Sequence, residues 1–177
     1  MSELTLRKNL VASVALTLLA GAVAVVSAPS AAVAATNDYT RLQNLKSLYY
    51  MVRKSNDYVV QDEVYNPNGY WQRIQLSNGH YQYMNLQTKG GLGIDGASTK
   101  AGAAAYVGDY SSSAANQQWT FPRTTATSNA GWAMIKNVKS GLCLGVSSAS
   151  TTAGAAVAQY ACDPSAKNQA WRQYSPL

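Results

Sequence analysis

The chain has 177 residues, with 14 Lys plus Arg against 8 Asp plus Glu, one His and two Cys. The two Cys are better used together and a single His cannot make a metal site, so neither a metal nor a cofactor is expected. The positive charges are scattered, without the clustering that tracks a phosphate backbone, which argues against nucleic acid as a partner.

Arg7 and Lys8 stand ahead of an uncharged run from Asn9 to Asn37, rich in Leu, Val and Ala, and Ala32-Val33-Ala34 supplies an A-x-A cleavage site. A basic flank, an apolar centre and a small-residue exit make up a secretory signal peptide. Residues 1–34 are therefore expected to be removed and the protein to be secreted, with no stable membrane insertion after cleavage. The alternative is a retained anchor, because Leu10 to Val26 is 17 residues long and touches the short end of the membrane-spanning range. Removal leaves residues 35–177, the size of one ordinary domain, expected to be a monomer.

The next 140 or so residues repeat themselves. Residues 79–119 and 131–171 align at a constant offset of 52 with 16 identities in 41 pairs, and a shorter copy lies upstream. The three units run over about 39–71, 80–119 and 132–171. Each opens towards an Asn (Asn44, Asn85, Asn137) and closes on Asn-x-x-Trp (Asn68/Trp71, Asn116/Trp119, Asn168/Trp171). From opening Asn to closing Trp is 27 positions in the first unit and 34 in the others, a loss of seven. A period of this length means one structural unit used several times, with its core completed by its neighbours.

Within the units, short alternating runs such as Leu142-Cys143-Leu144-Gly145-Val146 sit between Ser, Gly and Asn loops, and no apolar pattern recurs at helical spacing. The Ala-rich stretches 101–105 and 153–158 each carry a Gly and lead from one strand-like run to the next, so they are read as loop and strand. The domain is expected to be all-β. Both Cys, Cys143 and Cys162, fall in the third unit, and a lone pair in an exported chain reads as a disulfide.

Three units ending in Gln-x-Trp (Gln117-Gln118-Trp119, Gln169-Ala170-Trp171), with Ser140-Gly-Leu-Cys-Leu-Gly-Val146 followed by Cys162, resemble the ricin-type β-trefoil lectins. The resemblance implies three pseudosymmetric four-strand units closing a small barrel under a hairpin cap, with the three Trp in the core. It also implies a shallow sugar pocket on a unit. There an Asp after the strand Leu accepts hydroxyl hydrogen bonds, an aromatic before the second Cys stacks on the ring, and a Gln with the Asn of Asn-Gln-x-Trp completes the rim.

Carried onto this sequence, the third unit keeps Tyr160 at the stacking position and Asn168 and Gln169 at its ending, but has Gly145 for the Asp and Ala158 for the Gln. On this basis Gly145→Asp is expected to restore an acceptor. The second unit keeps Asn116 but has Gly93 for the Asp and Gly108 for the aromatic; the first has Val52. Candidate substitutes are Gln159, Ser147 and Asp95. The first is one position from the missing Gln; the others lie two past Gly145 and Gly93, a spacing that returns to the same strand face. Asp95 precedes Gly96, and Asp-Gly is a strong turn signal, so a turn residue is the first reading and a sugar contact the second.

Enzymatic readings lack support. His80 occupies an aromatic opening position, no G-x-S-x-G elbow exists, and no motif sets two carboxylates across a cleft. The expectation is a non-catalytic protein that binds a carbohydrate, such as a galactose- or other glycan-containing polysaccharide, through its third unit. The alternatives are a trefoil that binds a protein, such as a secreted protease inhibitor, and a carbohydrate-binding partner acting in trans with a secreted hydrolase.

Overall fold

The computed structural model describes residues 39–63 and 67–174. The expected signal peptide therefore lies outside the described residues. Every regular element described is a β-strand or a single 3₁₀ turn. The first unit holds β1 (Tyr39–Asn44), β2 (Tyr50–Arg53), β3 (Val59–Asp62) and β4 (Trp71–Gln75). The second holds β5 (Tyr81–Asn85), β6 (Gly91–Ile94), β7 (Ala105–Gly108) and β8 (Trp119–Thr120). In the third, the first strand is broken into β9 (Trp132–Ala133) and β10 (Lys136–Asn137), followed by β11 (Cys143–Val146), β12 (Val157–Tyr160) and β13 (Trp171–Tyr174).

The outer strands of each unit form an antiparallel barrel, running β10-β8-β5-β4-β1-β13-β9. The inner pairs β2/β3, β6/β7 and β11/β12 are hairpins that cap it, joined to one another by the bridges Tyr58↔Tyr106, Val60↔Ala156 and Ala104↔Ala158. This is a β-trefoil, as expected. The Ala-rich stretches run from loop into β7 and β12, because their alanines pair across the cap rather than along a helix.

The repeated residues explain the threefold shape. Trp71, Trp119 and Trp171 are all at most 2 % exposed, and each indole Nε1 donates to the carbonyl one residue into the second strand of its own unit. The acceptors are Met51 at 3.1 Å, Leu92 at 3.1 Å and Leu144 at 2.9 Å. A buried indole thus keeps its one donor satisfied while its ring fills the core.

The opening Asn residues join unit to unit. Asn44, Asn85 and Asn137 are buried, and their Nδ2 atoms donate to the carbonyls of Asn168, Asn68 and Asn116, the closing Asn of the preceding unit in each case. Their Oδ1 atoms accept backbone N–H groups two residues on, from Lys46, Gln87 and Lys139. One amide therefore caps a turn and ties two units together. Cys143 and Cys162 are bonded, with Cα atoms 5.0 Å apart, and this clamps the start of β11 to the segment beyond β12.

The seven missing residues of the first unit are not one loop. Arg53 pairs with Val59, six steps on, whereas Ile94 pairs with Ala105 and Val146 with Val157, each eleven on; five residues are lost at the hairpin tip. The other two are lost between β3 and Trp71.

Candidate functional site

The third unit's β11/β12 hairpin pairs Gly145 with Ala158 and Cys143 with Tyr160. Strand alternation puts Gly145, Ala158 and Tyr160 on one face. Tyr160 is half-buried there, and its hydroxyl lies 2.8 Å from the Ser147 Oγ. Asn168 approaches from the 3₁₀ turn Lys167–Gln169, donating its Nδ2 to the Val146 carbonyl at 3.0 Å. Tyr160, Ser147 and Asn168 therefore converge around the bare backbone of Gly145. The result is an aromatic face with a hydroxyl and an amide at its rim.

Two other expected contacts are engaged within the protein. Gln159 is adjacent to Tyr160 on the strand and so faces the opposite way, where it is fully buried. Its Nε2 donates to the carbonyls of Ser98 and Lys100 in the neighbouring unit, and its Oε1 accepts from Ser140. Gln169 is also buried; its Oε1 accepts the Asp163 N–H and its Nε2 donates to the Ala161 carbonyl, both at 3.0 Å. Gln117 makes the equivalent pair of bonds to Ser111 and Asp109. These glutamines hold loops, and all are buried, so their amides serve the fold rather than an exposed rim. Asp163, at the loop that Gln169 supports, has its carboxyl held below the usual range by the Ser165 side-chain and backbone hydrogen bonds.

Asp95 and Asn116 belong to the second unit and lie apart from this face. Asp95 opens the 3₁₀ turn Asp95–Ala97, with Gly96 at φ +57°, and its Oδ2 accepts from the Tyr58 hydroxyl of the first unit at 3.0 Å. That bond, with the carboxylate's charge, raises the Tyr58 pKa. Asn116 is half-buried beside Gly93.

The glycines at the acceptor positions are not vacancies. A Cβ on Gly145 would lie 2.9 Å from the Gln169 Cγ and 3.4 Å from both the Asn168 Nδ2 and the Tyr160 Cδ2. On Gly93 it would meet the Gln117 Cγ at 3.0 Å and the Asn116 Nδ2 at 3.1 Å. Because Gln169 and Gln117 are anchored at both ends of their amides, they cannot swing aside cheaply. The expectation that Gly145→Asp simply restores an acceptor overlooks this packing.

Among the described residues no group of three or more His, Cys, Asp or Glu could hold a metal ion. The His80 Nδ1 lies 3.1 Å from the Gln118 Oε1, a partner that orients the ring without activating it as a base.

Comparison with known proteins agrees with the geometry. The family described as ricin-type beta-trefoil lectin domain-like matches residues 115–176. Among solved structures, a designed threefold symmetric protein, ThreeFoil, is 27% identical with a TM-score of 0.70, over 79% of this chain and 99% of its own. The Macrolepiota procera ricin B-like lectin, solved in complex with lactose, is 17% identical with a TM-score of 0.68, over 79% of this chain and 96% of its own. An exo-beta-1,3-galactanase from Clostridium thermocellum is 19% identical with a TM-score of 0.67, over 78% of this chain but 30% of its own. No curated protein matches the sequence. The resemblance to ricin-type β-trefoil lectins thus holds, by sequence over residues 115–176 and by fold over the described domain.

Proposed function

We propose that this is a secreted, non-catalytic glycan-binding protein whose site is the Tyr160 face of the third unit. The observation that carries this is the half-buried Tyr160 ring beside Gly145, with the Ser147 hydroxyl and the Asn168 amide at its edge. A sugar ring has a C–H face that seeks an apolar platform and a rim of hydroxyls that need polar partners. The face supplies both. It lacks a carboxylate, and charge-assisted hydrogen bonds are about twice as strong as neutral ones. Binding of a single sugar is accordingly weak, with a dissociation constant on the order of 1 mM, or about −4 kcal/mol.

Retention then depends on polymeric glycans that engage several copies of the protein, where avidity adds about 10² to 10⁴. The match to only 30% of the galactanase chain favours one further reading of the same site, a glycan-binding partner that works beside a secreted hydrolase. Retention on immobilised polysaccharides tests both. Tyr160→Ala removes the platform at the cost of one partly buried hydrogen bond, so it should abolish retention while shifting the melting temperature little. Full retention by that variant would move the site elsewhere. Export is tested by intact mass, which should place the mature N-terminus at or near Ala35.

A further inference from the structure

The barrel repeats the same outward places at each junction between units, and one junction is furnished differently. Where β1 of the first unit pairs with β13 of the third, Arg41 stands opposite Tyr174 and Gln43 opposite Arg172. Between β5 and β4 the same places hold Gln82 opposite Ile74 and Met84 opposite Gln72, and between β10 and β8 Lys136 lies opposite Thr120. The frame therefore closes without an Arg at these places, and the two guanidiniums call for a reason beyond the fold.

Both are held by aromatic rings. The Arg172 Cζ lies 4.5 Å from the Tyr174 ring centroid and 4.8 Å from that of Trp132, its pair on β9. The Arg41 Cζ lies 4.6 Å from the Tyr50 centroid and 5.5 Å from that of Tyr70. Rings within about 6 Å attract the cation and orient it. A guanidinium fixed in this way presents N–H groups in a fork that matches a carboxylate. Arg172 gives one N–H group to the Gln43 Oε1 at 3.3 Å and takes no part in the two ion pairs among the described residues, Arg53–Asp57 and Lys54–Asp62.

Gln43 carries this surface on to the turn between β1 and β2, its Nε2 donating to the Leu48 carbonyl at 2.9 Å. Leu48 has φ +64°, and Lys89 and Gly141 also have positive φ at the same point of the other units. A bulky residue in that conformation is strained. Its side chain is nevertheless 58 % exposed. Together with Tyr174, at 41 %, it makes two of the three exposed large hydrophobic residues among those described. A strained Leu in solvent gives the frame nothing that Gly would not supply better.

Trp, Tyr and Arg gathered on one patch are the residues on which protein interfaces concentrate their binding energy. The patch carries two positive charges and no acid. We infer that this outer face of the barrel is a docking surface for a protein partner, which sets Asp or Glu side chains on Arg41 and Arg172 and covers Leu48 with apolar ones. An apolar side chain that projects from a turn suits a protein's own side chains better than a hydroxylated polymer. The face shares no residue with the Tyr160 site, so the inference stands apart from the glycan-binding reading.

The test is NMR of the ¹⁵N-labelled protein, titrated with a peptide of about a dozen Glu, Leu and Gly residues, with its counterpart carrying Lys for Glu, and with oligogalacturonate. Saturable shifts are expected at the Gln43, Leu48 and Arg172 amides and the Trp132 indole with the acidic peptide. Arg172→Gln copies Gln72, the residue at the same place of the first unit, and should weaken that binding about tenfold with the fold kept. Leu48→Gly should weaken it about fivefold while the melting temperature holds or rises, because Gly suits a positive φ. No shift with the acidic peptide, equal shifts with the basic one, or shifts unchanged by both substitutions would overturn the surface. Shifts at the same groups with oligogalacturonate, as strong as those with the acidic peptide, would overturn the protein partner in favour of an anionic glycan.

Discussion

The second and third units share a scaffold and differ in what they place on it. Each buries its Trp on the carbonyl of its strand Leu, each sets an Asn on the turn that follows its first strand, and each anchors a Gln from its closing motif to the loop beyond its third strand. On that common frame the third unit has Cys143, Gly145 and Tyr160, where the second has Gly91, Gly93 and Gly108. A trefoil unit therefore needs only its inward residues to keep its shape. The opposite hairpin positions differ between the units, and at Gly93 and Gly145 the closing Gln packs on the bare backbone in both.

The comparison breaks first at the Trp residues. Trp171→Ala and Trp119→Ala should destabilise the domain alike, by about 3 to 5 kcal/mol, because each removes a fully buried aromatic. Chemical denaturation measures this, and a large disparity between the two would mean that the units do not share a frame. Cys143→Ser should sharpen the contrast, since the second unit holds the same hairpin by packing alone. Loss of the disulfide is expected to cost about 2 to 5 kcal/mol, consistent with about 3 from the chain-entropy model for a loop of this length. Finding two reactive thiols in the native protein would remove the distinction. Gly145→Asp tests whether an acceptor fits on the frame. Forcing atoms against the anchored Gln169 should cost about 1 to 3 kcal/mol and weaken sugar binding. Tighter binding without loss of stability would show that Gln169 gives way.

The frame was legible in the sequence because it recurs. Trp71, Trp119 and Trp171, with their Asn partners, stand at fixed spacing in the units, and the two Cys sit where one hairpin brings them together. The candidate site was legible only in part. Tyr160, Ser147 and Asn168 do converge, but Gln159 faces the opposite way and Gln169, although it packs beside Gly145, is buried, and each makes hydrogen bonds that a pattern of letters does not display. For Gln159 the signal was available: strand alternation alone opposes it to Tyr160. For Gln169 it was not, because its position in a repeated motif is as compatible with holding a loop as with holding a sugar. The shape of the first unit's hairpin escaped for another reason. The missing residues read as a single seven-residue loss, whereas pairing register divides them and puts five at the hairpin tip.

The separation of frame from face is tested most directly by Trp171→Ala and Tyr160→Ala measured side by side, for melting temperature and for retention on an immobilised polysaccharide that holds the unsubstituted protein. Trp171→Ala should lose its cooperative melting or have it sharply lowered. Tyr160→Ala should melt within a few degrees of the parent, as expected for a change of less than about 1 kcal/mol, and pass through the column unretained. Contradiction would be a Tyr160→Ala protein that is retained like its parent, or one that fails to fold.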